Sequence, residues 1–220
     1  MSKLVLIHTV SPLVEVFKKL CSQKLKDVQT IHILDEPLLI RIQNRGGLIE
    51  EDASRLQTHI EIAGKVDAGV VLVTCSTISP LVDTIRQNVA VPVLKIDDAM
   101  IAAAVNGGTT IGVVATNPTT LGPTNQALEH QAETVSKKIK TNLVLVENAL
   151  PALLKGDNAL HDEKVKDAVI SLSKKVDLVV LAQASMARVL DVVSEEERTV
   201  PILSSPHLAL EQVKEYLESM

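Results

Sequence analysis

Aromatic residues are almost absent from this 220-residue sequence, which contains one Phe, one Tyr and no Trp. Proteins that bind single-stranded nucleic acids stack the bases on aromatic side chains, and this chain has almost none. Positive charge is also in deficit, because 22 Lys and Arg residues stand against 27 Asp and Glu residues, for a formal net charge of −5. Such a chain repels a phosphate backbone. We therefore exclude nucleic acid as a partner and expect an aliphatic, alanine-rich core.

Long hydrophobic runs are missing as well. No apolar run approaches the roughly 20 residues that a membrane-spanning helix needs, so we expect no membrane partner. The N-terminal segment MSKLVLIHTV is too short for a signal peptide and contains no small-residue cleavage site. The two cysteines, Cys21 and Cys75, are too few for a disulfide framework. A cytoplasmic location is the simplest interpretation of these absences.

The common cofactor signatures are absent too. The chain contains no GxGxxG, no GxxxxGK followed by Ser or Thr, and no HExxH. Its six histidines and two cysteines show no close metal-ligand spacing. We therefore expect neither a metal ion nor an organic cofactor.

Short aliphatic runs alternate with amphipathic helical patterns along the whole chain. Near-continuous Val, Ile and Leu runs are typical of parallel strands that are buried on both faces, and this alternation predicts a parallel α/β fold. The predicted strands are Leu4–Thr9, Thr30–Leu34, Gly69–Thr74, Val91–Ile96, Thr110–Ala115, Asn142–Val146, Leu178–Ala182 and Val200–Leu203.

A weak internal repeat divides the chain into two halves of four predicted strands each. Segments Val66–Ile96 and Val176–Ser205 both open with Val-Asp, continue as an aliphatic strand and a helix, and close on Val-Pro-Val-Leu or Val-Pro-Ile-Leu. The openings Lys3–Pro12 and Thr110–Pro118 also match. The alternative is that any two βαβ segments look alike at this level. The repeat predicts a joint near residues 106–108, with residues 1–97 and 207–220 in the first α/β half and residues 98–206 in the second.

Loops rich in Ser and Thr follow several of the predicted strands and lead into helices. The positive end of a helix dipole favours an anion such as a carboxylate or phosphate. The alternative is that these residues only cap the helices. Ligands of parallel sheets bind at the carboxyl ends of the strands, so we expect the site there. The loops comprise residues 8–12, 74–77, 116–120, 182–185 and 204–207.

Cys75 is the most informative single residue, because it follows a predicted buried strand and precedes a predicted helix. A thiol at a helix N-terminus has a lowered pKa, and its thiolate can abstract a proton from carbon or attack a carbonyl. The alternative is a buried cysteine that acts as a small hydrophobic residue, which is our interpretation of Cys21. Two histidines, His8 and His207, also lie in strand-end loops and are candidates to line the site.

Three segments give the chain a resemblance to the cofactor-independent aspartate/glutamate/hydantoin racemase superfamily: VLVTCST at Val71–Thr77, IGVVATNPTTL at Ile111–Leu121 and LAQASMA at Leu181–Ala187. The resemblance implies two pseudo-symmetric α/β halves with the site between them. It also implies two cysteines, one per half, that remove and return the α-proton without pyridoxal phosphate or metal. Cys75 matches the first of these cysteines.

The position of the second cysteine is occupied by Gln183, whose amide cannot act as an acid or a base. Racemisation by two thiols is therefore not expected, and Gln183 is predicted to orient or polarise the substrate. A histidine, His8 or His207, is the candidate to replace the missing thiol. The resemblance implies that the substrate carboxylate contacts residues of the matching loops, and the spacing of Thr116 and Thr119 suggests that both hydroxyls meet one carboxylate. The predicted carboxylate-binding residues are Ser76, Thr77, Thr116, Thr119 and Ser185.

These inferences predict an isomerase, similar to amino-acid racemases, that acts on the α-carbon of a small carboxylate such as an amino acid. Cys75 acts as a thiol acid/base or as a nucleophile. Three alternatives stay open: a decarboxylase or a hydrolase that uses the single thiol, and a non-catalytic protein that binds small carboxylates. We also expect a homo-oligomer, such as a dimer.

Overall fold

Two parallel four-stranded sheets form the framework of the protein, as described by a computed structural model that covers residues 2–219. This confirms the predicted α/β class. The strand order is β2-β1-β3-β4 in the first sheet and β6-β5-β7-β8 in the second. The strands are β1 Ser2–His8, β2 Val28–Leu34, β3 Val70–Val73, β4 Val93–Lys95, β5 Thr110–Ala115, β6 Lys140–Leu145, β7 Leu178–Leu181 and β8 Ile202–Ser204.

Helices connect the strands, so that each parallel pair is joined by a crossover. The helices are α1 Pro12–Lys24, α2 Glu36–Arg45, α3 Glu50–Lys65, α4 Ser79–Ile85, α5 Asp98–Gly107, α6 Pro118–Thr134, α7 Ala149–Leu154, α8 Asn158–Ser173 and α9 Ser205–Glu218. Two short 3₁₀ helices, Ala184–Asp191 and Glu195–Glu197, lie between β7 and β8. None of the helices within residues 2–219 is long and apolar enough to cross a membrane.

The strands differ from the predicted ones mainly at their ends and edges. Strands β4 and β8 begin after Pro92 and Pro201, two residues later than predicted, because proline has no N–H to donate to a sheet ladder. All four residues of β3 and of β7 are buried, as predicted for strands covered on both faces. In contrast, β2 and β6 are edge strands, and their side chains are mostly half-buried or exposed.

The chain forms two compact units, each with one sheet. The first comprises the residues up to Asp98 together with those from Pro206 onward, and the second comprises Ala99–Ser205. The identical strand order of the two sheets is the arrangement that an internal duplication would produce.

Each unit has an aliphatic core that fixes its helices on the sheet. In the first unit Phe17 is fully buried and its ring centroid lies 5.6 Å from that of His8. In the second unit α8 packs closely on β5 at Gly112. A Cβ atom there would lie 2.7 Å from Cδ2 of Leu172 on α8, so only glycine permits this approach.

Because all strands of a sheet are parallel, their carboxyl ends lie at one edge of that sheet. In the first unit the Thr74 N–H donates to the carbonyl of Ile7, and the Ile96 N–H donates to that of Val73. In the second unit the Ala182 N–H donates to the carbonyl of Val114. The loops predicted to carry chemistry therefore start in register at the carboxyl edge of their own sheet.

Candidate active site

Cys75 follows β3 in the first unit, and its side chain is buried, with 9% of the residue exposed. The hydroxyl of Thr77 and the backbone N–H groups of Thr77 and Ile78 lie close to the sulfur and favour its thiolate, and the Ile78 N–H also donates to the Cys75 carbonyl oxygen at 3.2 Å. The Thr9 hydroxyl also faces the sulfur but forms no regular hydrogen bond with it. The sulfur thus lies among hydrogen-bond donors, which is the environment that stabilises a thiolate.

Burial nevertheless raises the pKa of the Cys75 thiol above its ordinary value, because desolvation outweighs the opposing electrostatic effects of Thr9, Ile78 and Thr77. The prediction of a lowered pKa is therefore wrong. The sequence placed Cys75 directly at a helix N-terminus, whereas a turn intervenes and α4 begins only at Ser79, with just seven residues. Hence the dipole of α4 does not offset the loss of hydration at the sulfur, and the resting form at neutral pH is the thiol.

The raised pKa of Cys75 predicts slow alkylation at neutral pH. A thiolate is the reactive form, so iodoacetamide should modify Cys75 several-fold more slowly at pH 7 than it modifies a cysteine in a short peptide. The rate should rise as the pH increases above about 8.5, the ordinary thiol pKa. Mass spectrometry of the Cys75 peptide after timed alkylation measures this rate. Modification at pH 7 that is faster than in the peptide would contradict the raised pKa.

Two hydroxyl groups in the same loops are buried and have no hydrogen-bond partner among residues 2–219. These are Oγ1 of Thr9 and Oγ of Ser76, on residues that are 2% and 5% exposed. A buried hydroxyl without a partner costs about 1–3 kcal/mol. Both residues flank the Cys75 region at the carboxyl edge of the first sheet. A polar ligand at this edge would satisfy both hydroxyls. Thr77, which was predicted with Ser76 to bind a carboxylate, is buried and lies against Cys75.

His8 has both ring nitrogens engaged within the first unit. Its Nε2 lies 2.9 Å from Nδ1 of His32, and its Nδ1 lies 2.9 Å from the hydroxyl of Thr74. Burial, together with the proximity of His32, lowers the pKa of His8 to about 3, so its ring is neutral near pH 7. His8 therefore links β1, β2 and β3 at their carboxyl ends and offers no ring nitrogen to a substrate.

The corresponding edge of the second unit contains Gln183, which follows β7. Its Oε1 accepts hydrogen bonds from the N–H of Thr116 at 2.6 Å, the hydroxyl of Thr116 at 3.0 Å and the N–H of Asn117 at 3.1 Å. The Gln183 oxygen thus accepts from the N–H and hydroxyl donors of the loop that precedes α6. Any hydrogen bond from Gln183 to a substrate must come from its amide nitrogen.

The Thr116 and Thr119 hydroxyls are both paired within this loop. Thr116 bonds to Gln183, and the Thr119 hydroxyl donates to Oδ1 of Asn117, the N-cap of α6, at 2.9 Å. A substrate carboxylate would have to compete with these partners to contact both hydroxyls, as the sequence predicts. The role of the two threonines in substrate binding stays a prediction.

The two remaining predicted residues lie on helices. Ser185 is half-buried in the 3₁₀ helix that follows Gln183, and His207 is exposed as the third residue of α9. Among residues 2–219, no group of three or more His, Cys, Asp or Glu side chains is arranged to hold a metal ion.

The part of the sequence that contains the strand-end loops of both units matches a known protein family. The model of the family described as Asp/Glu/Hydantoin racemase matches residues 8–213. The chain belongs to the Asp/Glu/hydantoin racemase family. This membership makes the protein an isomerase of the racemase class that acts on small carboxylates. No curated protein sequence matches the chain.

Solved structures of racemases share the fold of this family member. A glutamate racemase from Bacillus anthracis is 18% identical, with a TM-score of 0.76, over 99% of this chain and 82% of that one. An allantoin racemase from Klebsiella pneumoniae is also 18% identical, with a TM-score of 0.72, over 100% and 89% of the two chains. An aspartate racemase from Picrophilus torridus is 15% identical, with a TM-score of 0.70, over 99% and 98%. At these identities the likeness concerns the fold.

Sequence reasoning about this racemase-family protein missed Asp97, which follows β4 and is 3% exposed. Its Oδ1 accepts a hydrogen bond of 3.0 Å from the hydroxyl of Ser79, the first residue of α4, and that hydroxyl lies 3.5 Å from the carbonyl of Cys75. Asp97 therefore supports the turn between Cys75 and α4. The available signal was an acidic pair, Asp97-Asp98, just after the predicted strand Val91–Ile96.

Asp97 also predicts a pH dependence of stability. Burial raises the pKa of Asp97 to about 6, although Ser79 and Lys95 oppose the shift. Below about pH 3 the carboxyl is protonated in both the folded and the unfolded state and has no effect. As the pH rises toward 6 the unfolded state loses its proton first, so the charged group destabilises the fold by about 2–3 kcal/mol above pH 6.

Asp97→Asn should therefore raise the free energy of unfolding by about 2 kcal/mol at pH 7.5 and change it little at pH 3. Asparagine keeps an oxygen that accepts from Ser79 while it removes the charge. Urea unfolding at the two pH values measures the effect. An equal gain at both pH values would show that the charge of Asp97 is not its cause.

Proposed function

We propose that this racemase-family protein removes and returns the proton on the α-carbon of a small carboxylate, such as an amino acid or a related compound, with the Cys75 thiol as an acid/base group. The observation that carries the proposal is the environment of Cys75. The sulfur is buried at the carboxyl end of β3 among the donors of Thr77 and Ile78, and the hydroxyls of Thr9 and Ser76 in the same loops have no partner within residues 2–219.

The chemistry follows from the two protonation states of the sulfur. As a thiolate, Cys75 takes the proton from the α-carbon, and the electron pair of the broken C–H bond moves into the adjacent carboxylate to form an enediolate. As a thiol, Cys75 gives its proton to that carbon. Burial makes the thiolate a stronger base, and its neighbouring donors stabilise the charge while it exists.

The substrate carboxylate would be held by hydroxyl groups. Thr9 and Ser76 are the natural donors in the first unit, because ligand oxygens would satisfy both. In the second unit the amide nitrogen of Gln183 is the candidate donor to the developing enediolate, since its oxygen is bonded to Thr116 and Asn117. Donors that strengthen their bonds as charge develops lower the barrier by about 3 kcal/mol each.

The test is incubation in deuterated water with amino acids, hydantoins and malonates, followed by NMR and chiral chromatography. The proposal predicts α-deuterium in at least one enantiomer of an amino acid or hydantoin, without added metal or pyridoxal phosphate; comparable exchange from both enantiomers would show that a second group also transfers a proton. Saturable binding of a compound without deuterium incorporation would instead favour the non-catalytic alternative.

A second candidate, decarboxylation, is favoured by the raised pKa of the single thiol. A thiol that is protonated at neutral pH is suited to deliver a proton to an enediolate formed when a malonate loses carbon dioxide. Release of carbon dioxide from a substituted malonate, with one enantiomer of the deuterated acid as product, would support this candidate over racemisation.

The proposed homo-oligomer and the cytoplasmic location stay predictions. Light scattering of the purified protein and fractionation of cells that express it test them directly.

A further inference from the structure

Ser79 is a buried residue of the first unit whose hydroxyl lies between two acceptors. Its Oγ is 3.0 Å from Oδ1 of Asp97, which follows β4, and 3.5 Å from the carbonyl oxygen of Cys75, which follows β3. Ser79 is 5% exposed and Asp97 is 3% exposed, so bulk water has little access to these bonds. The three residues form a buried chain that connects the carboxyl ends of two neighbouring strands.

The hydroxyl of Ser79 has a single proton, so it can serve only one of the two acceptors fully at a time. An ionised carboxylate is the stronger acceptor, because a charge-assisted hydrogen bond is roughly twice as strong as a neutral one. The shorter of the two distances is the one to Asp97, in agreement with this preference. While Asp97 is charged, the carbonyl of Cys75 therefore depends mainly on the N–H of Ile78, 3.2 Å away.

Protonation of Asp97 reverses the direction of the chain. A protonated carboxyl is itself a donor, so its O–H can donate to Oγ of Ser79. The Ser79 hydroxyl is then free to donate to the carbonyl of Cys75. Because burial raises the pKa of Asp97 to about 6, the reversal occurs close to neutral pH.

The charged groups near Asp97 lie on β4, α4 and α5. Lys95 of β4 favours the charged form of Asp97, and Asp98, the first residue of α5, opposes it. Lys95 pairs with Asp98 at 3.2 Å and with Asp83 of α4 at 3.0 Å, and Arg86 of α4 pairs with Asp83 at 2.6 Å. These opposite charges largely balance one another, so burial has the largest effect on the charge of Asp97.

The N–H of Ile78 links the chain to the sulfur of Cys75, the only titratable residue of the turn formed by residues 75–79. This N–H donates to the Cys75 carbonyl and also lies close to the sulfur, where it favours the thiolate. When the hydroxyl of Ser79 donates to the carbonyl, the N–H is less engaged there and interacts more with the sulfur. A neutral Asp97 also removes a negative charge from the surroundings of the turn. Both changes stabilise the thiolate.

We propose that Asp97 is a positioning residue that controls, through the hydroxyl of Ser79, the turn that carries Cys75. The turn favours the thiolate when Asp97 is neutral and the thiol when Asp97 is charged. The coupling is reciprocal, so loss of the Cys75 proton makes Asp97 bind a proton more readily. The consequence for catalysis rests on the proposed function, whereas the hydrogen-bond chain does not.

The test is ¹³C NMR of the full chain labelled at the carbonyl carbon of cysteine. The sequence contains two cysteines, so the spectrum has two signals, and Cys21→Ser assigns them. A hydrogen bond donated to a carbonyl moves its ¹³C signal to lower field. As the pH falls, the Cys75 signal should therefore move to lower field with a midpoint near pH 6. The Cys21 signal should stay in place, because its carbonyl accepts from the N–H of Leu25 at 2.8 Å.

Variants of the two side chains distinguish the hydrogen-bond chain from a charge that acts through space. In Asp97→Asn the side chain does not titrate, so the displacement of the Cys75 signal should vanish. Cys75 should also react with iodoacetamide several-fold faster than in the natural protein at pH 7.5, since the opposing charge is gone. In Ser79→Ala the carboxyl of Asp97 still titrates, but the displacement should vanish because the link to the carbonyl is missing. Ser79→Thr restores a hydroxyl and should restore the displacement.

Ser54→Ala is the matched control. The hydroxyl of Ser54 also donates to a backbone carbonyl, that of Glu50 in α3, and takes no part in the chain. The variant should keep the full displacement of the Cys75 signal. Loss of the displacement in Ser54→Ala would show that the signal reports general loosening of the fold, and would overturn the role of Asp97.

The outcomes separate the two proposals. A Cys75 signal that stays in place near pH 6, or that still moves in Ser79→Ala, overturns the role of Asp97 and leaves the proposed function standing. If both proposals hold, kcat should show an inflection near pH 6 that is absent from Asp97→Asn, and a profile without it would overturn the control of catalysis by Asp97. A moving signal in a protein that exchanges no α-proton overturns the proposed function and supports the hydrogen-bond chain.

Discussion

Replacement of Cys75 by serine should lower racemisation about 10³-fold, the range that an acid/base group contributes to a proton transfer. Serine preserves the size of the side chain, and the donors of Thr77 and Ile78 can still bond to its oxygen. A hydroxyl, however, ionises far less readily than a thiol and cannot take a proton from carbon. Loss of the α-proton signal in deuterated water measures the rate, and chiral chromatography measures inversion.

The control is the other cysteine of the chain. Cys21 lies on α1, is 2% exposed, and burial raises its pKa to about 11, which marks it as a hydrophobic core residue. Cys21→Ser should leave turnover within twofold and lower stability by about 1–3 kcal/mol, since it buries a hydroxyl. Turnover that survives Cys75→Ser but not Cys21→Ser would reverse our assignment of the reactive thiol.

Replacement of Gln183 by alanine should lower turnover about 10²-fold and destabilise the second unit by about 1–3 kcal/mol. The oxygen of Gln183 accepts from two N–H groups and one hydroxyl, and alanine leaves all three donors of Thr116 and Asn117 without this acceptor. The amide nitrogen that we propose to donate to the substrate is removed as well. Steady-state kinetics and thermal unfolding of one preparation measure both effects.

Gln183→Glu separates the two roles. Its carboxylate still accepts from Thr116 and Asn117, so stability should return to the natural value or exceed it. It has no N–H to donate, and its negative charge repels a substrate carboxylate, so turnover should stay low and KM should rise. Full turnover with a normal KM in Gln183→Glu would show that Gln183 only holds the loop and does not contact the substrate.

The fold could be predicted from local patterns because each strand is a run of adjacent residues. Aliphatic runs such as Thr110–Ala115 and Leu178–Leu181 need burial on both faces, and the helical segments between them leave a parallel sheet as the simple solution. The predicted ends of the strands were less accurate than the predicted strands themselves. Only the prolines Pro92 and Pro201 mark in the sequence where β4 and β8 begin. The family could also be inferred from local patterns, because the resemblance rests on runs of adjacent residues such as the VLVTCST segment.

The candidate site was predictable only as a set of loops. That Cys75 and Gln183 follow β3 and β7 could be inferred from position along the chain. The three donors that surround the Gln183 oxygen belong to residues that are 66 and 67 positions away, so no local pattern indicates them.

The sequence by itself determined the α/β class, the division into similar halves and the residue types at the strand ends, because these depend on neighbours along the chain. Only the tertiary structure decided the protonation of Cys75, the pairing of His8 with His32 and the lack of a partner for the buried hydroxyl of Ser76 within residues 2–219. A pKa reflects the desolvation of a group and the donors that the fold brings to it, and burial reversed the shift expected for Cys75 from its position alone.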